Sequence, residues 1–313
     1  MTDTGELRGR VDARLEHNTR GDGVSKVLRT VAAGAVAALA LAGCAESERD
    51  PQSTDEGTED TGGRDTFIFA ASSDPASLDP AFANDGESFR VARQIFEGLV
   101  GTEPGTADPA PLLAESWEVS EDGLTYEFAL KEGVTFHDGT PFDAEAVCFN
   151  FERWNNFTGV LQSESLSYYW QKVNGGFASS DVESLDGTGK YESCDAVDES
   201  TAVINLKSPL PEFISALSLP SFSMQSPTAL QEYGADDVGG DESAPVLPAY
   251  ATEHPTGTGP FMFDSWTRGQ EVTLTANPDY WGEQGQVQRI VFPVIGDPTA
   301  RRQALQAGDI DGF

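Results

Sequence analysis

The stretch Trp117-Glu118-Val119-Ser120-Glu121-Asp122-Gly123-Leu124-Thr125-Tyr126-Glu127-Phe128-Ala129-Leu130 carries the clearest structural signal in the chain. Leu124, Tyr126, Phe128 and Leu130 recur at a period of two, which turns one face of a strand toward a core. Asp122-Gly123 separates this arm from residues 117–120, so the segment predicts a β-hairpin. Outward from it, residues 66–71 read as a strand closed by Ser72-Ser73-Asp74-Pro75, and residues 87–100 as an amphipathic helix through Phe89, Val91, Ile95, Phe96 and Leu99. Asp143 caps a helix over residues 144–153, residues 198–206 form a turn and a strand, and Pro211 opens a helix to Leu217. Residues 234–258 read as a long Gly-, Pro- and acid-rich loop. Residues 261–266 and 271–276 predict a second hairpin around Arg268-Gly269. A strand over residues 290–295 leads to a helix capped by Asp297, with Pro298 in its first turn, and Ile310 begins another strand. Hairpins interleaved with helices give an α+β or α/β class.

The chain has 313 residues and a formal net charge of −33. Its first 43 residues carry six basic and five acidic side chains, so everything from Cys44 onward carries −34. Such a surface repels nucleic acid and anionic headgroups, which argues against DNA, RNA and direct membrane-surface binding. Lys26 and Arg29 precede the apolar run of residues 31–41. That run is about half the length that spans a bilayer at ~1.5 Å rise per residue, and it reads as an export signal rather than an anchor. Leu41-Ala42-Gly43-Cys44 then resembles the lipobox of bacterial lipoproteins, in which the cysteine is acylated. This predicts a lipoprotein signal peptide over residues 1–43, lipidation at Cys44, and an acidic, disordered tether over residues 44–65. With Cys44 consumed by lipid, Cys148 and Cys194 remain as an even pair in an oxidising compartment, which points to a disulfide. Two separate buried thiols are the alternative, because sequence does not show that their α-carbons approach.

From Thr66 onward, ordered blocks resemble the bacterial extracellular solute-binding proteins of family 5. They are Ser77-Leu78-Asp79-Pro80, Gln94-Ile95-Phe96-Glu97-Gly98-Leu99-Val100, and Pro111-Leu112-Leu113-Ala114-Glu115-Ser116-Trp117. Lys131-Glu132-Gly133-Val134-Thr135-Phe136-His137-Asp138-Gly139-Thr140-Pro141-Phe142 and Gly257-Thr258-Gly259-Pro260-Phe261 follow. Asn277-Pro278-Asp279-Tyr280-Trp281-Gly282 and Leu305-Gln306-Ala307-Gly308-Asp309-Ile310-Asp311 complete the set. Most of these residues are turn glycines and large apolar side chains, which speak for fold rather than chemistry.

The resemblance implies a type II periplasmic-binding-protein fold, a two-lobe receptor whose ligand sits between lobes that close on a hinge. Residues 66–105 and 256–313 then form the first lobe, residues 106–255 a small inserted domain, and the second lobe is absent. It further implies a monomer that delivers a peptide, or on the same scaffold a nickel complex, haem or oligosaccharide, to the permease and ATPase subunits of an ABC importer. The location implied is the outer face of the cell membrane. In peptide-binding relatives the segment after Leu-Asp-Pro pairs with an extended ligand through its main chain, which here designates Ala83, Asn84, Asp85 and Gly86. A plain Asp-Gly loop with a helix-capping role is the competing reading. Phe313, on the crossover strand toward the hinge, borders the cleft in the same reading. No cofactor and no metal is expected. His137, Asp138 and His254 lack chelating spacing, and no G-x-S-x-G elbow or phosphate loop occurs. An exported hydrolase using His137 or His254, and a truncated surface lipoprotein without transport, are the readings from other classes.

Overall fold

The structure, a computed structural model, describes residues 65–179 and 189–313. The predicted signal peptide, Cys44 and the tether lie outside these residues, apart from Asp65 at the tether's end. In chain order the strands are β1 (Thr66–Ile68), β2 (Val100–Thr102), β3 (Pro109–Pro111), β4 (Ala114–Val119), β5 (Thr125–Leu130), β6 (Tyr191–Asp198), β7 (Thr201–Leu206), β8 (Gly239–Asp241), β9 (Ala244–Val246), β10 (Phe261–Thr267), β11 (Glu271–Ala276) and β12 (Arg289–Pro293). The helices are α1 (Gly86–Ile95), α2 (Ala144–Asn155), α3 (Tyr168–Asn174), α4 (Phe213–Ala216), α5 (Pro227–Glu232) and α6 (Pro298–Ala307). The class is mixed α+β.

Two four-stranded sheets organise the chain. One has the order β1-β12-β11-β10, with β1 parallel to β12 and the other pairs antiparallel. The other is antiparallel throughout, in the order β4-β5-β7-β6. In the second, Tyr126, Phe128 and Leu130 are buried, as the period-two pattern requires. The turn before β5 is closed by Ser120 and Asp122, and Gly123 takes φ +68°, a left-handed conformation that glycine adopts without steric cost.

α1 packs on the first sheet through Val91, Ala92, Ile95 and Phe96 against Val272, Leu274, Ile290 and Phe292. The larger core lies between the second sheet and α2, filled by Phe128, Phe151, Trp154, Trp170, Tyr191, Phe213 and Phe222 among others. Ala81, Phe82, Leu99 and Val100 also bury their side chains in this larger core. Cys148 on α2 and Cys194 on β6 form a disulfide with their α-carbons 5.1 Å apart.

Several elements differ from the sequence pattern. α1 stops at Ile95, not Val100, because Phe96 turns extended (φ −121°, ψ 150°) and the following carbonyls are taken by other segments. Met224 N–H donates to Glu97 O, Leu113 N–H to Gly98 O, and Ala114 N–H to Leu99 O. A side chain at Gly98 would meet the Leu217 carbonyl at 2.9 Å, so the chain passes close against that backbone here. The helix expected from Pro211 is confined to α4, and the expected 234–258 loop contains the β8–β9 hairpin. Past Ile310 there is no regular strand, only a parallel bridge from Gly312 to Phe69.

Candidate ligand-binding face

The segment designated by sequence is held on both sides and open in the middle. Asp79 starts a 3-10 turn over Pro80–Phe82, its Oδ1 accepting the Ala81 N–H at 2.9 Å. Its Oδ2 accepts Arg153 Nη2 at 2.7 Å, both side chains being buried. Burial pushes the Asp79 carboxyl above its ordinary range against the pull of Arg153. Burial alone would lower the Arg153 pKa, but Asp79 and Asp236 together push it further up, so this cation stays charged. The chain leaves the turn at Ala83 in extended geometry (φ −89°, ψ 137°). The Ala83 methyl is buried and its carbonyl accepts Ser221 Oγ at 3.2 Å.

Asp85 is also extended (φ −122°, ψ 158°) and caps α1: its Oδ1 accepts the N–H groups of Glu87 and Ser88, and its Oδ2 accepts Ser88 Oγ. The carboxylate is therefore engaged within the protein, as the helix-capping reading requires. Between them Asn84 is exposed, and among the described residues no hydrogen bond engages its N–H or C=O. Gly86 opens α1 and is exposed.

Hydrogen bonds tie the first turn of α1, which follows this segment, and residues 311–312, which precede Phe313, to β1 and its exit. Ser72 donates its N–H and Oγ–H to Glu87 Oε1 at 2.9 and 2.6 Å, and the Ala76 N–H donates to Ser88 Oγ. Burial would raise the Glu87 pKa, but the Ser72 donors and Arg90 hold it below the ordinary range. On the other side of β1, Asp311 N–H donates to Ile68 O, Ile68 N–H to Asp311 Oδ2 and Ala70 N–H to Gly312 O. Phe313 follows, 46% exposed, with the Arg301 guanidinium 5.7 Å from its ring.

Two contributions escaped the sequence reading. Arg153 lies 74 positions from Asp79, and no local spacing links them. Glu97 is buried and accepts hydrogen bonds from Thr258 Oγ1, Tyr280 OH and Trp281 Nε1, joining three separate blocks. Burial raises its pKa in spite of these donors.

The histidines are placed otherwise. His137 Nε2 lies 2.9 Å from Gly259 O, which can only accept, so this nitrogen carries the proton; burial holds the imidazole pKa below its ordinary value. Asp138 accepts from Thr140 and Ser226. His254 stacks on Tyr233, ring centres 3.8 Å apart. These residues line a cavity of about 200 Å³ with Glu232 and Glu253, and among the described residues no cluster of three His, Cys, Asp or Glu side chains is arranged to hold a metal.

Residues 108–313 match the family model described as bacterial extracellular solute-binding proteins, family 5 middle. The chain belongs to this family. It is 32% identical over 252 residues to the probable D,D-dipeptide-binding periplasmic protein DdpA of Escherichia coli, covering 79% of this chain and 43% of the relative. It is 30% identical over 284 residues to heme-binding protein A of Haemophilus influenzae, covering 88% and 48%. Among solved structures it superposes on the ABC transporter-associated periplasmic binding protein DppA of Helicobacter pylori in complex with the peptide STSA. There the TM-score is 0.64 at 29% identity, covering 78% of this chain and 45% of that one. NikA of Brucella suis in complex with Fe(III)-EDTA gives a TM-score of 0.58 at 30% identity, covering 79% and 42%. The fold is thus that of the type II periplasmic binding proteins, and the chain spans less than half the length of these family 5 relatives. DdpA, heme-binding protein A and DppA are named as binding proteins, DdpA and DppA as periplasmic. Among the described residues no helix is long and apolar enough to cross a membrane.

Proposed function

We propose that this family 5 chain is the substrate-binding lipoprotein of an ABC importer, taking a peptide-like ligand in a cleft and delivering it to a membrane permease with separate ATPase subunits. The observation that carries the reading is the open main chain of Asn84 between two extended, internally bonded neighbours. An extended peptide adds to such an edge through its own N–H and C=O groups, which every peptide presents whatever its sequence. DppA with bound STSA, similar in fold and 29% identical, supports this class of ligand.

In this proposal residues 83–86 and Phe313 face the ligand, residues 66–105 and 256–313 form one lobe, and residues 106–255 form the inserted domain. A second lobe covers the ligand, and Cys44 carries the lipid that holds a monomer at the outer face of the membrane. The protein performs no catalysis and takes no cofactor. Adding tri-alanine to the isotope-labelled chain tests the reading: the backbone amide of Asn84 shows one of the largest chemical-shift changes. No change at Asn84, with or without changes elsewhere, contradicts it.

A further inference from the structure

We propose that Arg153 positions the ligand-facing segment 83–86 from within the larger core, an inference that rests on the binding role given to that segment above. Arg153 belongs to α2, whose Cys148 is crosslinked to β6, so the helix is one of the best-anchored elements of the molecule. Its guanidinium grips the turn that precedes Ala83 at both ends. Nη2 donates to Asp79 at the start of the turn, and the cation lies 5.3 Å from the ring of Phe82 at its end. Phe157 contributes a second ring at 5.4 Å, so the guanidinium packs against two aromatic side chains. Nε donates to Asp236 at 2.8 Å.

Gln225 completes the cage. With its amide oriented to satisfy both neighbours, its oxygen accepts from Arg153 at 3.3 Å and its nitrogen donates to Asp79 Oδ1 at 3.1 Å and to Tyr250 OH. Asp79 Oδ1 at the same time accepts the Ala81 N–H. One side chain of α2 therefore fixes the residue that caps the turn and the ring that ends it. The next residue is Ala83, where the extended segment begins. Only a planar fork with several donors makes these contacts together; a lysine ammonium carries the charge without the geometry. A buried pair of this kind is weak evidence for net stability, because replacing both partners by neutral groups often costs little. Its better-founded role is to fix one arrangement of the chain.

Native-state hydrogen exchange on the full chain separates positioning from general stability. The amides of Ala81, Phe82 and Ala83 are bonded within the turn, to Asp79 Oδ1, Asp79 O and Pro80 O. The double variant Asp79→Asn/Arg153→Met removes the tie and leaves no buried charge, while the amide oxygen introduced at position 79 can still accept from the Ala81 N–H. The expected result is at least tenfold faster exchange at these three amides, with Phe128 and Ile204 in the larger core within about threefold of the wild type. Unchanged exchange at the turn overturns the proposal, as does a uniform rise at turn and core alike.

Arg153→Lys is measured in parallel and decides the matter if the double variant does not fold. A selective rise at the turn supports the positioning role, and no selective rise overturns it. The tri-alanine titration is scored separately. A wild type that ignores the peptide but shows the selective exchange pattern in the variants contradicts the peptide reading and leaves the positioning role intact.

Discussion

The two sheets of this chain are built to different standards. The β4-β5-β7-β6 sheet and α2 enclose a dense aromatic core: Phe151 contacts Trp154, Tyr191 and Phe213, while Trp170 contacts Trp154, Tyr191 and Phe222, and a disulfide crosslinks the same layer. The β1-β12-β11-β10 sheet has a smaller core on its α1 side, and α6 buries none of its residues. The first turn of α1, just after the segment 83–86, and residues 311–312, just before Phe313, are bonded to β1 and its exit, in the sheet with the smaller core. In the function proposed above, rigidity and recognition are divided between the two regions. The open main chain of Asn84 lies between them: the turn before it buries Ala81 and Phe82 in the larger core, and α1 after it packs on the smaller one.

Substitutions put this contrast to the test. The largest effect is expected at Trp154, which is fully buried between Trp170 and Phe222. Trp154→Ala should cost about 3–5 kcal/mol in denaturant unfolding, the range for emptying a large aromatic site. A cost below about 1 kcal/mol would mean that this core is not the stabilising half. Replacing Cys148 and Cys194 together by Ala should cost roughly 2–4 kcal/mol, since the bridge closes a loop with a sequence separation of 46. An unchanged midpoint would show that the crosslink does not restrain the unfolded chain.

Smaller effects are expected at Glu97 and on α6. Glu97 has a raised pKa, so the folded protein holds this proton more tightly than the unfolded chain does. Its contribution to stability is complete below the ordinary value of 4.5 and falls as pH rises through the folded pKa. The stability of the wild type relative to Glu97→Gln should therefore decline over that interval, and a rising difference contradicts the assignment. Leu305, on α6, is 42% exposed. Leu305→Ala should change stability by no more than about 0.5 kcal/mol, the usual span for surface sites. A loss several times larger would show that α6 is packed after all.

Much of the β4-β5-β7-β6 sheet was legible because its signals are local. The alternation at Tyr126, Phe128 and Leu130 and the Asp122-Gly123 turn act over a few residues. So do the caps at Asp143 and Asp297, each of which accepts a backbone N–H three residues on. Asp85 shows where such reading divides. The same Asp-Gly pair suited a ligand strand and a helix cap, and the structure puts its carboxylate in the cap while leaving the Asn84 main chain open. What stayed hidden is long-range. The end of α1 is decided by carbonyls given to Met224, Leu113 and Ala114, and the Asp79–Arg153 and Glu97–Trp281 contacts join residues 74 and 184 positions apart. The order of the family blocks pointed to the fold, but their residues are mostly scaffold, so the resemblance designated the segment 83–86 without showing how it is held.

Recognition through the backbone is tested by separating the main chain of Asn84 from its side chain. Asn84→Pro removes the N–H, and Ala83 already has the extended geometry that a residue before proline requires (φ −89°, ψ 137°). Asn84→Ala removes the side chain and keeps the N–H. In tri-alanine titrations the proline variant should bind roughly three- to tenfold more weakly, the value of one hydrogen bond, while the alanine variant stays within about twofold of the wild type. Undiminished binding to the proline variant, or the larger loss in the alanine variant, would contradict recognition through the backbone.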